Sequence, residues 1–320
     1  FEDANFIIAH HTLGDCAEQL SDLGYKNFFS PLELFKTYQV DKYNHRASKS
    51  YMEKKIANAI KINELYFDDS KTYLRSLDVV ITTKCSMNCE SCANLMQYYK
   101  SQKNTDSEIL KAVKIISENV DHISEYRIIG GEPLMNKNWA EITMGVIEQD
   151  PSRSVYIYTN ATICPKDHQL EMFKGKNLHF YLTDYGDLSR NMDNMINSLK
   201  KHGIGFYRKP AGNWVDCSGI KKHNRTVARL RQVFKECCAT ELYTLISGRL
   251  YTCPFIANAA NLKAIPDNKA DYVDLFGGGD LKSKIRKLVK MEHFFPACDF
   301  CDGRPHDPAK ATEYAGKGLI

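Results

Sequence analysis

Between residues 77 and 210 the chain alternates strand patterns with helix patterns, and this alternation restricts the fold more than any other feature. "LDVVIT" (77–82), "EYRIIG" (125–130), "SVYIYTN" (154–160), "LHFYLTD" (178–184) and "IGFYRK" (204–209) read as strands. Helical patterns separate each pair. The first, "DSEILKAVKIISENV", has Asp106 as a cap and sets Ile109, Leu110, Val113 and Ile116 on one face; others follow around Trp139 to Gln149, near Gln169 and at about 190–202. Such a rhythm is the signature of βαβ units and a parallel sheet. Residues 77–236 accommodate five or six units. A closed eight-unit barrel takes ~250 residues, so an open, partial barrel is expected.

The flanks differ. Residues 1–76 carry "NFIIAHHTLGDCAEQLSDLGYKNFFSPLEL", a strand, an amphipathic helix and a second strand, so a βαβ-like fragment, with "AIKINELYFDDSKTYLRS" as a connector. Alone it buries little, and the expectation is that it packs on the barrel or is the tail of a domain cut away upstream, the chain beginning at Phe1 without Met. In the last third, "ELYTLISGRLYTCPF" sets two apolar-aromatic runs around Ser247-Gly248, a hairpin signal. "FGGGD" and a basic amphipathic helix, "LKSKIRKLVKM", then precede "CDFC". The expected divisions are 1–76, 77–236 and 237–320.

Lys and Arg number 43 against 39 Asp and Glu, and a net charge of +4 is too balanced to argue for a nucleic-acid or membrane surface. No apolar stretch approaches the ~18 residues of a membrane span, and no basic-then-apolar leader opens the chain. A soluble, cytoplasmic protein with neither nucleic acid nor membrane as partner is expected. Eleven cysteines are many for such a chain, and in a reducing compartment metal binding or catalysis is a better use for them than disulfides.

"TTKCSMNCESCANL" (82–95) places Cys85, Cys89 and Cys92 directly after the strand 77–82. Three thiolates spaced C-x3-C-x2-C can hold three irons of a 4Fe–4S cube and leave the fourth iron open to a small molecule. The alternative, a closed zinc site, needs four ligands, and no fourth Cys or His lies close in sequence. "IIGGEP" (128–133) ends the next strand: Gly130 and Gly131 let a ligand approach the backbone, and Glu132 offers an acceptor to an ammonium group. By itself a Gly-Gly-Glu turn is more often an ordinary β-turn.

Together these motifs resemble the radical S-adenosylmethionine (radical SAM) enzymes over roughly residues 77–305. The resemblance implies an α/β fold with a partial (βα)6 TIM-like barrel. It implies that Cys85, Cys89 and Cys92 hold a 4Fe–4S cluster whose open iron binds the amino and carboxylate groups of S-adenosylmethionine. Once reduced, by a flavodoxin or ferredoxin-type donor, the cluster releases a 5′-deoxyadenosyl radical that takes hydrogen from an unactivated carbon. Gly130, Gly131, Glu132 and Pro133 match the family's GGE motif, which holds the methionine amino group. Thr159 and Asn160 after the third strand, Thr183 and Asp184 after the fourth, and Arg190 beyond match weaker cofactor-contact positions, each also readable as turn chemistry. The chain departs from the family at Ser91, where an aromatic residue is common.

Cys237 or Cys238, Cys253, Cys298 and Cys301 supply four further thiolates. This set resembles the twitch domain, the short relative of the SPASM domain, which binds one auxiliary 4Fe–4S cluster, so two clusters are implied in all; a zinc ribbon is the alternative. "VFKEC" points to Cys237, with Cys238 as competitor. A fully ligated cluster suits electron transfer and so the oxidation of a carbinol to a ketone. Epimerisation is the redox-neutral alternative, with Cys217 as candidate hydrogen donor against the reading of a buried, inert thiol. Cys16, Cys164 and Cys217 stand isolated in sequence and read as small hydrophobes. Twitch and SPASM members act on sugar-like small molecules or ribosomal peptides. Residues 1–76 do not read as a winged-helix leader-binding domain, and "GRLYTCPFIANA" and "DYVDLF" resemble radical SAM proteins of glycan biosynthesis. A sugar, aminosugar or nucleotide-linked sugar is therefore the expected substrate, with Trp214, Asp216 and Tyr185 as candidate lining. A modified peptide is the alternative, and a non-catalytic iron–sulfur or zinc scaffold the second.

Overall fold

The computed structural model describes all residues except 1–3, 9–12, 43–48, 67, 69, 101–105, 213–216, 292, 305–315 and 320. It forms two compact units, Phe1–Tyr73 and Leu74–Ile320. In the first, β1 (Phe6–Ile7) and β2 (Phe28–Phe29) pair in parallel across α1 (Leu13–Asp22), the βαβ fragment legible in the sequence. Ile8 and Ala17 are its buried centre, with Cys16, Leu20, Phe28 and Tyr66 packed on them. Two helices follow, α2 (Leu32–Thr37) and α3 (Lys49–Tyr66). The last corrects the sequence reading, because "AIKINELY" is the C-terminal part of an 18-residue helix and not a connector. The pattern hid it for a physical reason: Asn63, a polar residue, fills a buried position, donating to Ala59 O (2.8 Å) and accepting from Ser30 Oγ (2.8 Å).

The second unit is built on an eight-stranded sheet of β3 (Leu77–Thr82), β4 (Glu125–Gly130), β5 (Ser154–Thr159), β6 (Leu178–Asp184), β7 (Gly205–Pro210), β8 (Tyr243–Ile246), β9 (Arg249–Tyr251) and β10 (Tyr272–Asp274). Its order is β7-β6-β5-β4-β3-β8-β9-β10. Strands β3 to β7 are parallel, β8 joins β3 in parallel, and β9 and β10 add antiparallel. The result is an α/β fold with a mostly parallel central sheet. The sixth parallel strand comes from beyond residue 236 and lies beside β3, so the cysteine-rich last third shares its sheet with the strand that leads into the first cysteine set.

Alternation along the strands makes the two faces unlike. On one, Leu77, Val79, Ile81, Tyr126, Ile128, Val155, Ile157, Leu178, Phe180 and Leu182 are at most 2% exposed. This face belongs to the core that includes Val113 and Ile116 of α4 (Asp106–Asn119) and Trp139, Ile142 and Val146 of α5 (Trp139–Gln149). Trp139 stacks on Phe173 at 5.7 Å and meets Phe180 edge-on at 6.2 Å. Each such side chain contributes about 1.5–3 kcal/mol on burial. Ile109, Val113 and Ile116 are buried and Leu110 packs beside them, as their spacing predicts. The opposite face carries, in register across five strands, Thr244, Asp78, Arg127, Tyr156 and His179. The hairpin β8–β9 turns on Ser247 (φ 50°) and Gly248 (φ 72°), both left-handed as a two-residue turn requires. Among the described residues no helix is long and apolar enough to cross a membrane.

Candidate cofactor and cluster sites

Parallel strands deliver their C-terminal ends to one edge of the sheet, and the first cysteine set begins there. After Thr82 the chain turns, with Lys84 N donating to Thr82 Oγ1 (3.1 Å), and Cys85 follows. Strand β4 arrives beside it: Gly131 N donates to Thr82 O (3.1 Å) and Glu132 N to Lys84 O (2.7 Å). This closeness explains both glycines. A Cβ on Gly130 would overlap Thr82 O, and one on Gly131 would overlap Lys84 O and lie 2.7 Å from Cys85 Cβ.

Glu132 is fully buried, which raises its carboxyl from 4.5 to about 7 despite hydrogen bonds from Asn160 N, Thr159 Oγ1 and Leu134 N that favour the ionised form. Those donors lie at 2.9, 2.8 and 3.1 Å. The Leu134 bond caps a short 3-10 turn that opens on Pro133. A carboxylate has about four acceptor positions, so one remains. Glu132, Thr159 and Asn160, expected separately, form one bonded unit.

The same unit ties down the cysteine loop. Asn160 Nδ2 donates to Ser86 Oγ (3.1 Å), whose hydroxyl pairs with that of Thr162 (2.5 Å), while Thr162 N and Oγ1 return to Asn160 Oδ1 (3.0 and 2.7 Å). Further along the loop, Asn94 Nδ2 donates to Gly130 O (3.3 Å), Ser218 Oγ to Glu90 O (2.9 Å) and Arg304 Nη2 to Ala93 O (2.7 Å). None of Ser86, Asn94, Thr162, Ser218 or Arg304 stands out in the sequence, since each acts across a long chain separation. Cys89 is buried and Cys85 and Cys92 partly so. Burial pushes the Cys85 thiol up to about 12; the Met87 N–H opposes this, and Glu132, Cys92 and Cys89 add to it. Burial also raises Cys92, against N–H groups of Met96, Asn94 and Leu95 and the charge of Arg304.

Other expected positions are less engaged. Asp184 accepts from Arg208 Nε (2.9 Å) and Nη2 (2.6 Å) and from Gly186 N (2.9 Å), and the Arg208 hydrogen bonds hold its carboxyl below the usual range. Arg190 is exposed, so the arginine beside Asp184 is Arg208. Thr183 offers its carbonyl to Ser189 Oγ (3.3 Å), and Tyr185 N donates to the same hydroxyl (2.9 Å). Trp214 and Asp216 lie outside the described residues.

The second cysteine set gathers from three segments. The Cys237 thiol accepts from Ala239 N (3.4 Å), and Cys253, the N-cap of α6 (Pro254–Asn261), accepts from Ile256 N (3.5 Å). Cys301 accepts from Gly303 N (3.4 Å). Burial raises all of these thiols: Cys237 to about 11, Cys298 to about 12, and Cys253 and Cys301 upward. They also feel one another, Cys253 facing Cys237 and Cys298, and Cys298 facing Cys237 and Cys301. Cys238, by contrast, is exposed. Cys217 is isolated in sequence but not in the fold, being 4% exposed and within the field of Arg304, Cys301 and Cys238.

The donor sets fit iron–sulfur clusters. Metal binding would displace the protons of these buried thiols into solvent, and backbone N–H groups directed at the sulfurs are what cluster ligands need. The orphaned Nε of buried Arg304 also fits, because sulfur acceptors would satisfy it. Among the described residues no three His, Cys, Asp or Glu side chains converge closely enough for a single metal ion.

Two further features emerge only in the fold. On the polar face of the sheet, Arg127 Nη2 contacts Glu125 at 2.7 Å and Nη1 lies 3.8 Å from Asp78, with the guanidinium 5.7 Å from the Tyr158 ring. Tyr158 stacks on Tyr181 at 4.7 Å and Tyr156 on His179 at 5.3 Å. A cavity of about 560 Å³ also opens by the end of β3, lined among others by Thr82, Thr83, Tyr99, Lys100, Ser247 and Lys263.

Residues 79–202 match the model of the Radical SAM superfamily. Such a domain implies S-adenosylmethionine and a 4Fe–4S cluster. Among solved structures the chain is similar to BtrN in complex with AdoMet and 2-DOIA (15% identity, covering 78% of this chain and 100% of that one, TM-score 0.44). It is similar also to Streptococcus suis SuiB bound to S-adenosylmethionine (14%, 69% and 58%, TM-score 0.31) and to methylornithine synthase, PylB (16%, 56% and 57%, TM-score 0.30). At these identities and TM-scores the likenesses carry no functional argument. No curated protein matches the chain.

Proposed function

We propose that this chain is an oxidoreductase that takes hydrogen from an unactivated carbon of a sugar-like small molecule, an aminosugar or nucleotide-linked sugar, with oxidation as the outcome and epimerisation as its rival. The observation that carries the reading is the strand edge where Cys85, Cys89 and Cys92 meet the unit of Glu132, Thr159 and Asn160. With its cluster and S-adenosylmethionine bound, that edge supplies a 5′-deoxyadenosyl radical. Cys85, Cys89 and Cys92 would hold three irons. Glu132 would offer its remaining acceptor position to the methionine ammonium, Gly130 and Gly131 let β4 close against Thr82 and Lys84 rather than admit a ligand, and Thr159 and Asn160 fix the carboxylate's direction. The sheet with its helices is then a partial (βα)6 barrel whose first five strands lie within 77–236 and whose sixth, β8, opens the twitch-like module at 237–320.

Cys237, Cys253, Cys298 and Cys301 would hold the auxiliary cluster, with exposed Cys238 outside it. Oxidation is favoured over epimerisation because Cys217, the candidate hydrogen donor, is buried beside the second set. The cavity by β3 falls in the size range of small-molecule sites, with Lys100 and Lys263 on its lining. Reducing electrons come from a flavodoxin or ferredoxin-type partner in the cytoplasm. The test is anaerobic reconstitution with iron and sulfide counts and an assay of reductive S-adenosylmethionine cleavage. About eight irons per chain are expected for two filled sites. Replacing Cys85, Cys89 and Cys92 together should leave one cluster and abolish cleavage; a triple variant that still yields 5′-deoxyadenosine overturns the assignment.

A further inference from the structure

Arg304 stands three residues beyond Cys301 and is 6% exposed. A guanidinium keeps its charge in any protein environment, and burying it without a counter-charge is costly. Its Nη2 donates to Ala93 O (2.7 Å), the residue after Cys92, and its own carbonyl accepts from Cys238 N (2.7 Å), the residue after Cys237, so its side chain and its backbone are tied to a neighbour of each cysteine set. Its Nε has no partner. The groups nearest its charge are thiols, those of Cys217, Cys253, Cys301 and Cys237. Cys92, of the first set, lies in its field as well.

We propose that Arg304 is a shared counter-charge for the two cysteine sets, a fixed cation that raises the reduction potentials of both clusters and links the first cysteine loop to the auxiliary module. The inference rests on the two-cluster reading above. Thiolate-ligated clusters carry net negative charge, and one-electron reduction adds to it. A cation held in a low-dielectric site therefore favours the reduced form, and charge near the cluster and hydrogen bonds to its sulfurs are recognised levers on potential.

The test compares Arg304→Gln and Arg304→Lys in the full chain, reconstituted anaerobically, by iron and sulfide counts and by redox titration of each cluster's spectroscopic signal. With Gln, both potentials should fall by at least the equivalent of a tenfold loss in the reduction equilibrium, 59 mV for one electron. Lys should recover most of the shift. Unchanged potentials in a Gln variant that holds both clusters overturn the proposal, as does a shift confined to one cluster. If Gln loses iron while Lys keeps both clusters, the charge requirement stands; if both variants lose iron, Arg304 acts through shape and the proposal fails. A wild-type protein that takes up only one cluster removes the premise, and the iron count reveals this before any potential is measured.

Discussion

Replacing Arg127 by Met isolates two carboxylates on the polar face of the sheet. Asp78, Glu125 and Arg127 have side chains only 10%, 17% and 21% exposed, and Arg127 is the cation between them. Burial raises the Asp78 carboxyl from 3.8 to about 6, with Arg127 opposing. A carboxyl that holds its proton more tightly in the fold than in the unfolded chain favours the fold at low pH, and that advantage fades as pH climbs from about 4 to about 6. Without Arg127 only the weaker opposition of Arg75 remains, the proton is held still more tightly, and the fading extends toward neutral pH. Breaking a buried pair by removing one partner costs about 3–5 kcal/mol. At about 2–4 °C per kcal/mol for a unit of this size, the variant should unfold roughly 6–20 °C below wild type at pH 8. At pH 5.5 the deficit should shrink, because protonated Asp78 no longer needs a counter-charge. Thermal unfolding of anaerobically reconstituted protein at the two pH values reads this directly. An equal deficit at both, or none at pH 8, refutes the argument; adding Asp78→Asn to the variant should flatten the pH dependence.

Gly131→Ala drives a Cβ into Lys84 O and against Cys85, so it should lower iron uptake at the first site while leaving the auxiliary cluster in place, as iron counts on each site's cysteine-deleted background would report. Glu132→Gln keeps the shape but removes the charge, and its amide must present a donor to one of the groups now donating to Glu132; S-adenosylmethionine affinity should fall about 10- to 150-fold, the worth of a charged hydrogen bond, with iron content preserved. Replacing Cys298 and Cys301 by Ser should spare uncoupled S-adenosylmethionine cleavage and stop product formation on a true substrate, provided circular dichroism shows the variant folded. Normal product from the folded variant would refute an electron-acceptor role.

Much of this was legible in the strand and helix periods. The five parallel strands, the α4 face and the Ser247-Gly248 hairpin follow from local patterning, which sequence records directly. Lys49–Tyr66 did not, since Asn63 interrupts the apolar stripe with a buried amide. At the candidate site the cysteine spacing and the Gly-Gly-Glu turn were visible because they are contiguous. The bonding of Glu132 to Thr159 and Asn160 was not, nor the gathering of Asp78, Glu125 and Arg127 on one face. Both depend on which strand lies beside which and in what register, information that no single segment carries. Arg304 is hidden for the same reason, its hydrogen bond to Ala93 spanning 211 positions.

The pairing of β8 with β3 sets a gauge between the two halves of the cysteine chemistry. Tyr243 sits opposite Leu77, Thr244 opposite Asp78 and Leu245 opposite Val79. A slip of one residue would displace the hairpin that leads to Cys253 by about 3.3 Å and turn its apolar side chains to the wrong face. Buried side chains on both strands therefore forbid intermediate positions, and the separation of Cys253 from Cys85 can change only by breaking the ladder, not by bending it. An enzyme assembled this way would be indifferent to modest loop insertions between the two sets, yet intolerant of a single-residue insertion inside either strand.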